Sequence, residues 1–318
     1  MRALAAATCG GMLLVLVMGA AVTNTGSAEG CGRSWPLCNG QFVPEFTVAT
    51  AIEYSHRAVT GVESVLVLAL AGAMVWFWRE DREALLLAAL MVLTLFLQAG
   101  LGAGAVLWPQ SAVMLATHFG VSLIAFASTF LSAVLVWERS GPHPTPSPRG
   151  RGSPFSAAPR GRGSPFRNIA LFTTAYVLGV VYLGAYVRHA DVSLGCLDWP
   201  LCNGQLIPPL DAATGIVFAH RVAALGAVIL LGVLAYQARQ MDVASSVATC
   251  AAILGILQAL SGALIVWTRL GLLSTLLHAG LMGLLFAALT LVLRDALRSV
   301  QPAEVRLPSG VFERPGVA

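Results

Sequence analysis

The sequence predicts an all-α membrane protein: eight transmembrane helices forming two duplicated four-helix bundles. Three observations predict it. Of 318 residues, 57% are hydrophobic and only 11% charged, with mean hydropathy +0.78; a soluble domain carries about 25% charged residues, so a soluble class is excluded. Eight apolar runs each approach or exceed the about 20 residues needed to cross a hydrocarbon core. The heptapeptide WPLCNGQ occurs twice, at Trp35–Gln41 and Trp199–Gln205, each time between apolar runs.

The first span, Leu4–Val22, follows Arg2 and precedes small residues, as a secretory signal would. The repeat argues for a true span, because residues after Asn168 follow the same plan in mid-chain, where no signal peptide can sit. Spans two to four are expected at Glu53–Trp78, Ala84–Val106 and Ser111–Trp137, and spans five to eight at Asn168–Arg188, Ala213–Ala238, Val243–Val266 and Leu272–Leu293. The chain has no lysine, so arginines set the orientation, cytoplasmic loops collecting positive charge. With both termini cytoplasmic, all but Arg33, Arg57, Arg188, Arg221 and Arg269 of the 19 fall on the inner side, and both WPLCNGQ loops face outward. The net charge of +4 is accounted for by this bias and calls for no nucleic-acid partner.

A shift of 164 carries Trp35 to Trp199, Cys38 to Cys202, His56 to His220 and Arg57 to Arg221, while a shift of 160 carries Gln98 to Gln258, Gly102 to Gly262 and His118 to His278. An even number of spans separates the copies, so the halves run parallel. The expected organisation is an N-terminal half over 1–139, a linker over 140–167, a C-terminal half over 168–297 and a cytoplasmic tail over 298–318. The linker, GPHPTPSPRGRGSPFSAAPRGRGSPF, repeats PRGRGSPF within itself. Its proline, glycine, serine and arginine bury too little apolar surface to order a chain; arginine-glycine pairs also occur in RNA-binding segments, but composition alone is all that favours that here.

His56, His118, His220 and His278 fall on the second, fourth, sixth and eighth spans, roughly 5 to 12 Å below the outer face at 1.5 Å per residue. One histidine per helix at matching depth is how a bundle supplies two axial ligands to a flat macrocycle. A lone intramembrane histidine is often a hydrogen-bonded packing residue; four in a duplicated pattern favour ligation. Zinc is disfavoured because two histidines per half underfill a tetrahedral site, and covalent haem c is excluded because no C-x-x-C-H occurs. His143 and His189 lie in the linker and an outer loop.

The halves differ at Glu53. It precedes His56 by three residues and shares its helix face, whereas the position 164 later is Val217. Glu53 is either an interfacial carboxylate at the start of its span or a group beside a reacting carbon. Arg57 and Arg221 are placed to meet haem propionates or to snorkel. Glu63, Gln98 and Gln258 are taken as packing or hydrogen-bonding residues. Cys31 and Cys38 share the first outer loop, Cys196 and Cys202 the third; outside the cytoplasm such pairs commonly close disulfides, structural or redox-active. Cys9 and Cys250 are expected to be buried small residues.

With EYSHR at Glu53–Arg57, AHR at Ala219–Arg221, one histidine on spans four and eight, and CGRSWPLC at Cys31–Cys38, the chain resembles the heme A synthase family. The resemblance covers nearly the whole chain apart from linker and tail. It implies an oxidoreductase in the cell membrane that converts heme O to heme A by hydroxylating the C8 methyl twice, the hydrate losing water to leave a formyl group. His220 and His278 would ligate a resident heme b near the extracytoplasmic face, His56 and His118 would bracket the heme O substrate, and Glu53 would stand near the methyl as the catalytic group. Cys31 and Cys38 inherit a role in electron transfer or a redox-sensitive bridge; Cys196 and Cys202 have counterparts in only some relatives. The implied partners are the heme O farnesyltransferase, the terminal oxidase and an electron acceptor, with a homo-oligomer left open. The residues alone also suit a di-haem b membrane cytochrome that modifies no haem, or a haem-transport protein.

Overall fold

The structure, a computed structural model, describes residues 1–108, 111–140 and 163–299. The elements are α1 (Arg2–Asn24), α2 (Val48–Phe77), α3 (Arg82–Leu107), α4 (Ala112–Ser140), α5 (Gly163–His189), α6 (Ala212–Met241), α7 (Ser245–Trp267) and α8 (Leu272–Arg298). All eight are long and apolar enough to span a membrane, so the chain is an all-helical, multi-pass membrane protein. The linker and tail expectations fall largely outside the described residues, except that 163–167 already belong to α5 and Arg298 to α8.

Several boundaries differ from expectation for local reasons. The α2 helix starts five residues before Glu53 because the Thr47 hydroxyl accepts from Thr50 N–H and caps it. Asp211, 164 residues later, caps α6 through Thr214 N–H in the same way. Glu53 therefore lies beyond the first turn and is buried, 4% exposed, rather than at the membrane surface. His189 is the last residue of α5, not a loop residue. Cys250 is exposed on α7, on a face left to lipid, and Cys9 is half-buried.

Helix packing repeats four elements along the chain. The α1 helix packs on α2 and α4, and α3 on α2 and α4; likewise α5 packs on α6 and α8, and α7 on α6 and α8. The seams between the two sets, α4 with α5 and α8 with α1, exchange under the same shift, and α4 meets α8 at the centre. Lipid is as apolar as leucine, so these helices associate through close van der Waals packing and polar contacts rather than through expulsion of water. Small residues permit it. A Cβ on Gly120 would lie 2.4 Å from Cζ of Tyr182 on α5, and one on Gly283 would lie 3.3 Å from Cδ1 of Leu13 on α1.

Away from the WPLCNGQ loops lie two apolar cores: one of Leu70, Met74, Met91, Leu123 and Leu135 that also takes in Val181 of α5 and Phe286 of α8, the other of Phe166, Val177, Leu231, Leu234 and Leu289 within the second set. At this end Arg294 of α8 is 7% exposed. Its Nη1 and Nη2 donate to both oxygens of Glu138 at 2.9 and 2.7 Å, and its Nε to Glu83 at 2.5 Å, while Arg298 joins both glutamates at 2.5 and 3.2 Å. This cluster joins α8 to α3 and α4. At the opposite end Arg188 of α5 donates to Asn24 Oδ1 and Thr23 O of α1, at 2.9 and 3.1 Å.

Removing Arg294 leaves two carboxylates with one half-exposed cation. Arg294→Ala is expected to destabilise the protein by on the order of 3 kcal/mol, the low end for breaking a buried ion pair, and Arg298→Ala by about 1 kcal/mol or less. Unfolding in mixed micelles measures the difference.

Candidate functional site

Both WPLCNGQ segments fold identically because each carries its own turn chemistry. Asn39–Gly40 and Asn203–Gly204 take positive φ (52 and 75°, 55 and 76°), the conformation of a type I′ turn, for which Asn-Gly is the preferred pair. The turn closes reciprocal backbone bonds between Cys38 and Gln41 and between Cys202 and Gln205. Disulfides Cys31–Cys38 and Cys196–Cys202 staple each loop, as the short-loop pairing suggested. The cysteine spacings differ by one residue because the second loop lacks a residue between Cys196 and Asp198. Beyond it the 164 register resumes, so Ser34 corresponds to Asp198.

The loops are held to the helices below them by matching bonds. Thr50 Oγ1 donates to Gly30 O at 2.9 Å and Thr214 Oγ1 to Gly195 O at 3.3 Å. Arg57 Nη1 donates to Ser34 O and Leu37 O at 2.7 and 2.9 Å; Arg221 Nη1 donates to Asp198 O and Leu201 O at 2.8 and 2.7 Å. The arginines thus pin the loops through backbone carbonyls, and each guanidinium, with five N–H donors, keeps at least one for another acceptor.

The third arm of each arginine separates the halves. Arg57 Nη2 meets Glu53 Oε1 at 2.6 Å, and Glu53 Oε2 accepts from Cys31 N–H at 2.8 Å. Glu53 is therefore tied at once to its own helix and to the disulfide. In the second half Val217 is buried in its place, and Arg221 Nη2 turns to Cys196 O at 3.2 Å.

The four histidines lie on α2, α4, α6 and α8, near the loop end. His56 and His220 are each eight residues into their helices and His118 and His278 each six, about 12 and 9 Å along the axis. The helices that carry each pair are not neighbours in their four-helix set, so the imidazoles enter from opposite corners. Every ring rests against a glycine of the preceding helix. A Cβ on Gly19, Gly102, Gly184 or Gly262 would lie 3.4, 3.5, 2.6 or 3.6 Å from Cε1 of His56, His118, His220 or His278, respectively. Hydropathy and charge say nothing of these glycines; the signal lies in the repeat, which carries Gly19 to Gly184 at a shift of 165 and Gly102 to Gly262 at 160.

The rings' polar atoms differ between sites. Nδ1 of His56, His118 and His220 is buried without a hydrogen-bond partner. His278 is the exception: Ser261 Oγ lies 2.7 Å from its Nδ1 and Gln258 Nε2 3.0 Å from its Nε2. Gln98, the counterpart of Gln258, instead donates to His118 O at 3.1 Å and contacts Ser122 Oγ. Among the described residues no three His, Cys, Asp or Glu side chains gather to hold a bare metal ion. Two opposed imidazoles per half, each backed by a bare helix backbone, fit a planar ligand whose own ring supplies the remaining donors. An open apolar groove between α2 and α3, lined by Leu68, Val75, Trp76 and Val92, contains none of these groups.

The sequence model of the cytochrome oxidase assembly protein family (COX15-CtaA) matches residues 44–158 and 167–215. The chain is 40% identical over 303 residues to the heme A synthase of Geobacillus kaustophilus, covering 93% of this chain and 91% of that protein. This chain belongs to the heme A synthase family. It is also 42% identical to the heme A synthase of Bacillus licheniformis over 288 residues, 87% of this chain and 90% of the relative, and 37% identical to that of Alkalihalophilus pseudofirmus over 88% and 92%. In this member of the family, the WPLCNGQ turn of the second half has a titratable latch where that of the first has a neutral hydroxyl.

The latch is Asp198, whose carboxylate accepts from Gly204 N–H at 2.7 Å and Asn203 N–H at 2.6 Å, whereas the neutral Ser34 hydroxyl accepts from Gly40 N–H at 3.3 Å. The Gly204 amide, first among the causes, holds the Asp198 carboxyl below its ordinary value. A depressed folded pKa stabilises the loop above the unfolded pKa and ceases to do so as pH falls through the folded one. Hydrogen exchange at Gly204 and Asn203, corrected for intrinsic rate, is expected to lose protection on acidification below the usual aspartate range, and exchange at Gly40 to show no such step.

Proposed function

We propose that the chain is a heme A synthase that oxidises the C8 methyl of heme O to a formyl group through two hydroxylations and loss of water, in the half that carries Glu53. What supports this reading is one difference laid over a repeated frame: the two halves share their loops, arginines, histidines and glycine seats, and only the first places a carboxylate beside its histidine pair. A fixed cofactor needs no such group; a substrate oxidised at carbon releases protons and does.

On this reading residues 168–297 form the cofactor half and residues 1–139 the substrate half. His220 and His278 would hold a resident heme b, which supplies one-electron transfer when bound. Ser261 on Nδ1 of His278 is the outer-shell partner that fixes a ligand's tautomer and ring angle, and Gln258 must leave Nε2 for that nitrogen to bind iron. His56 and His118 would bracket heme O. Neither has such a partner on Nδ1, and nor does His220, so the resident site is braced in this way at one ligand and the substrate site at none. Each Glu53 oxygen spends one acceptor direction on Arg57 or Cys31 and keeps another, so it can take a proton released as water adds its oxygen to the carbon and two electrons pass to the acceptor, without losing its position. The remaining donors of Arg57 and Arg221 are placed for propionates at the loop end. Cys31–Cys38 holds the amide that orients Glu53, so reduction of that bridge would loosen the carboxylate; Cys196–Cys202 holds no such group. The farnesyltransferase that makes heme O and the terminal oxidase that takes heme A are the partners, electrons leaving to a separate acceptor. Both termini are cytoplasmic, with both haem sites near the extracytoplasmic face.

Membranes that co-express the chain with a heme O source are expected to yield heme A on extraction and mass analysis, and membranes without it none. Glu53→Gln is expected to lower heme A formation roughly 100-fold, the lower range for losing a general base, with haem b content unchanged. Gly184→Ala, whose Cβ falls 2.6 Å from the His220 ring, is expected to lose the resident haem, and Gly262→Ala, with 3.6 Å of room, to keep it. Unaltered heme O beside a haem-loaded wild-type protein supplied with an electron acceptor contradicts the proposal.

A further inference from the structure

A second carboxylate, Glu63, occurs on α2 and has no counterpart in the other half. Positions 53, 56, 63, 67, 70 and 74 alternate on one face of α2 at helical spacing. From Val67 onward that face is solid core, with Val67, Leu70 and Met74 at 0% exposure. Glu63 is the last polar side chain before it, about 10 Å along the axis beyond His56, while Glu53 lies about 4.5 Å to the other side. It is 3% exposed, and its Oε1 is buried with no hydrogen-bond partner. The α1 helix makes room for it: a Cβ on Gly11 would lie 2.0 Å from Glu63 Oε2.

The same seam in the second half is closed differently. Glu63 corresponds to Ala227, and Gly11, at the shift of 165 that matches α1 to α5, corresponds to Tyr176. The Tyr176 ring fills the seam, a Cβ on Gly226 being 2.4 Å from its hydroxyl, and that hydroxyl donates to Ala223 O at 3.2 Å. One floor is aromatic and satisfied; the other is a carboxyl with an oxygen to spare. An unpaired buried polar group is costly, and the repeat shows that an apolar solution was available to this fold.

We propose that Glu63 accepts the hydroxyl of the substrate's alkyl tail and so selects heme O over heme b. This rests on the reading that the first half takes heme O. Heme O differs from heme b at one ring substituent, where a vinyl group has become a hydroxylated, farnesyl-bearing chain. With the propionates toward Arg57 at the loop end, that substituent lies on the far edge of the porphyrin, toward the floor where Glu63 stands. The C8 methyl is on the same side of the ring but nearer the propionates, toward Glu53. Two carboxylates on one helix face, either side of the histidine, match two functional points on one ligand. A site that hydrogen-bonds a substrate hydroxyl discriminates strongly against the analogue lacking it, because the site's polar group is then left unpaired.

The test is retention of haem by full-length protein in lipid nanodiscs offered heme O and heme b together, with bound haems extracted and identified by mass. His56→Ala protein gives the background from the second half. Wild type is expected to retain heme O over heme b in the His56-dependent fraction by roughly ten-fold or more, the effect of one hydrogen bond to a carboxylate. Glu63→Ala is expected to bring that ratio near one by weakening heme O alone, and Glu63→Gln, which keeps an acceptor oxygen, to preserve most of it. In turnover, Glu63→Ala raises KM for heme O about ten-fold and changes kcat little. Unchanged second-half haem absorption shows that the variant is folded. Equal loss of both haems, an unchanged ratio, or a glutamine variant no better than alanine overturns the proposal. Wild type that prefers heme O yet makes no heme A would instead overturn the activity on which it rests.

Discussion

Four imidazole rings rest edge-on against the bare backbone of a neighbouring helix, and the arrangement of the helices follows from giving each ring that place. A histidine inside a bilayer needs a polar task or a polar partner, and its ring can be aimed only if something flat backs it. Glycine at 19, 102, 184 and 262 gives the odd-numbered helices that surface. The even-numbered helices carry the rings, so the two kinds must alternate around each half, as the contacts between them do. Loops capped at Thr47 and Asp211 and turned at Asn-Gly then cover the end where the rings lie. The arginine–glutamate cluster holds the opposite end.

On that shared frame, function is written as departures from symmetry. Glu53 against Val217 and Glu63 against Ala227 put two carboxylates on the histidine-bearing face of α2 and none at the matching positions of α6. Ser261 supports His278, while its counterpart position, Leu101, offers His118 no hydroxyl. On the proposed reading these departures pull the same way: the second half lacks a carboxylate at these helix positions and braces His278, though not His220, as suits a group held permanently, and the first is polar at two points and braces neither ring, as suits a ligand that is altered and released. On the proposed reading, duplication accounts for two sites of similar chemistry, and divergence at a handful of positions for the different fates of their ligands.

Much of this was legible in the sequence because the bilayer reduces the problem. Eight apolar runs, the repeat and the depth of four histidines follow from span length and periodicity alone, and the cysteine pairs from their short loops. Glu53 was legible as an asymmetry but not as a buried group, since a span begun at Glu53 leaves out the turn VATAI that the cap at Thr47 adds before it. The repeat marks the glycines at 102 and 262, but their role as seats for the rings and the spare oxygen of Glu63 were not legible. A glycine's importance here is the distance to an atom on another helix, and Glu63 looks like an ordinary packing residue until Gly11 and Tyr176 are compared across two seams that align at different shifts.

The division of labour between the halves is open to measurement as haem content by half. His56→Ala and His220→Ala proteins, purified from membranes that supply heme O, would be compared by absorption spectrum and by mass analysis of the extracted haems. His56→Ala is expected to keep the resident haem b and make no heme A, whereas His220→Ala is expected to lose haem b. Loss of haem b in His56→Ala with retention in His220→Ala would contradict that division of labour.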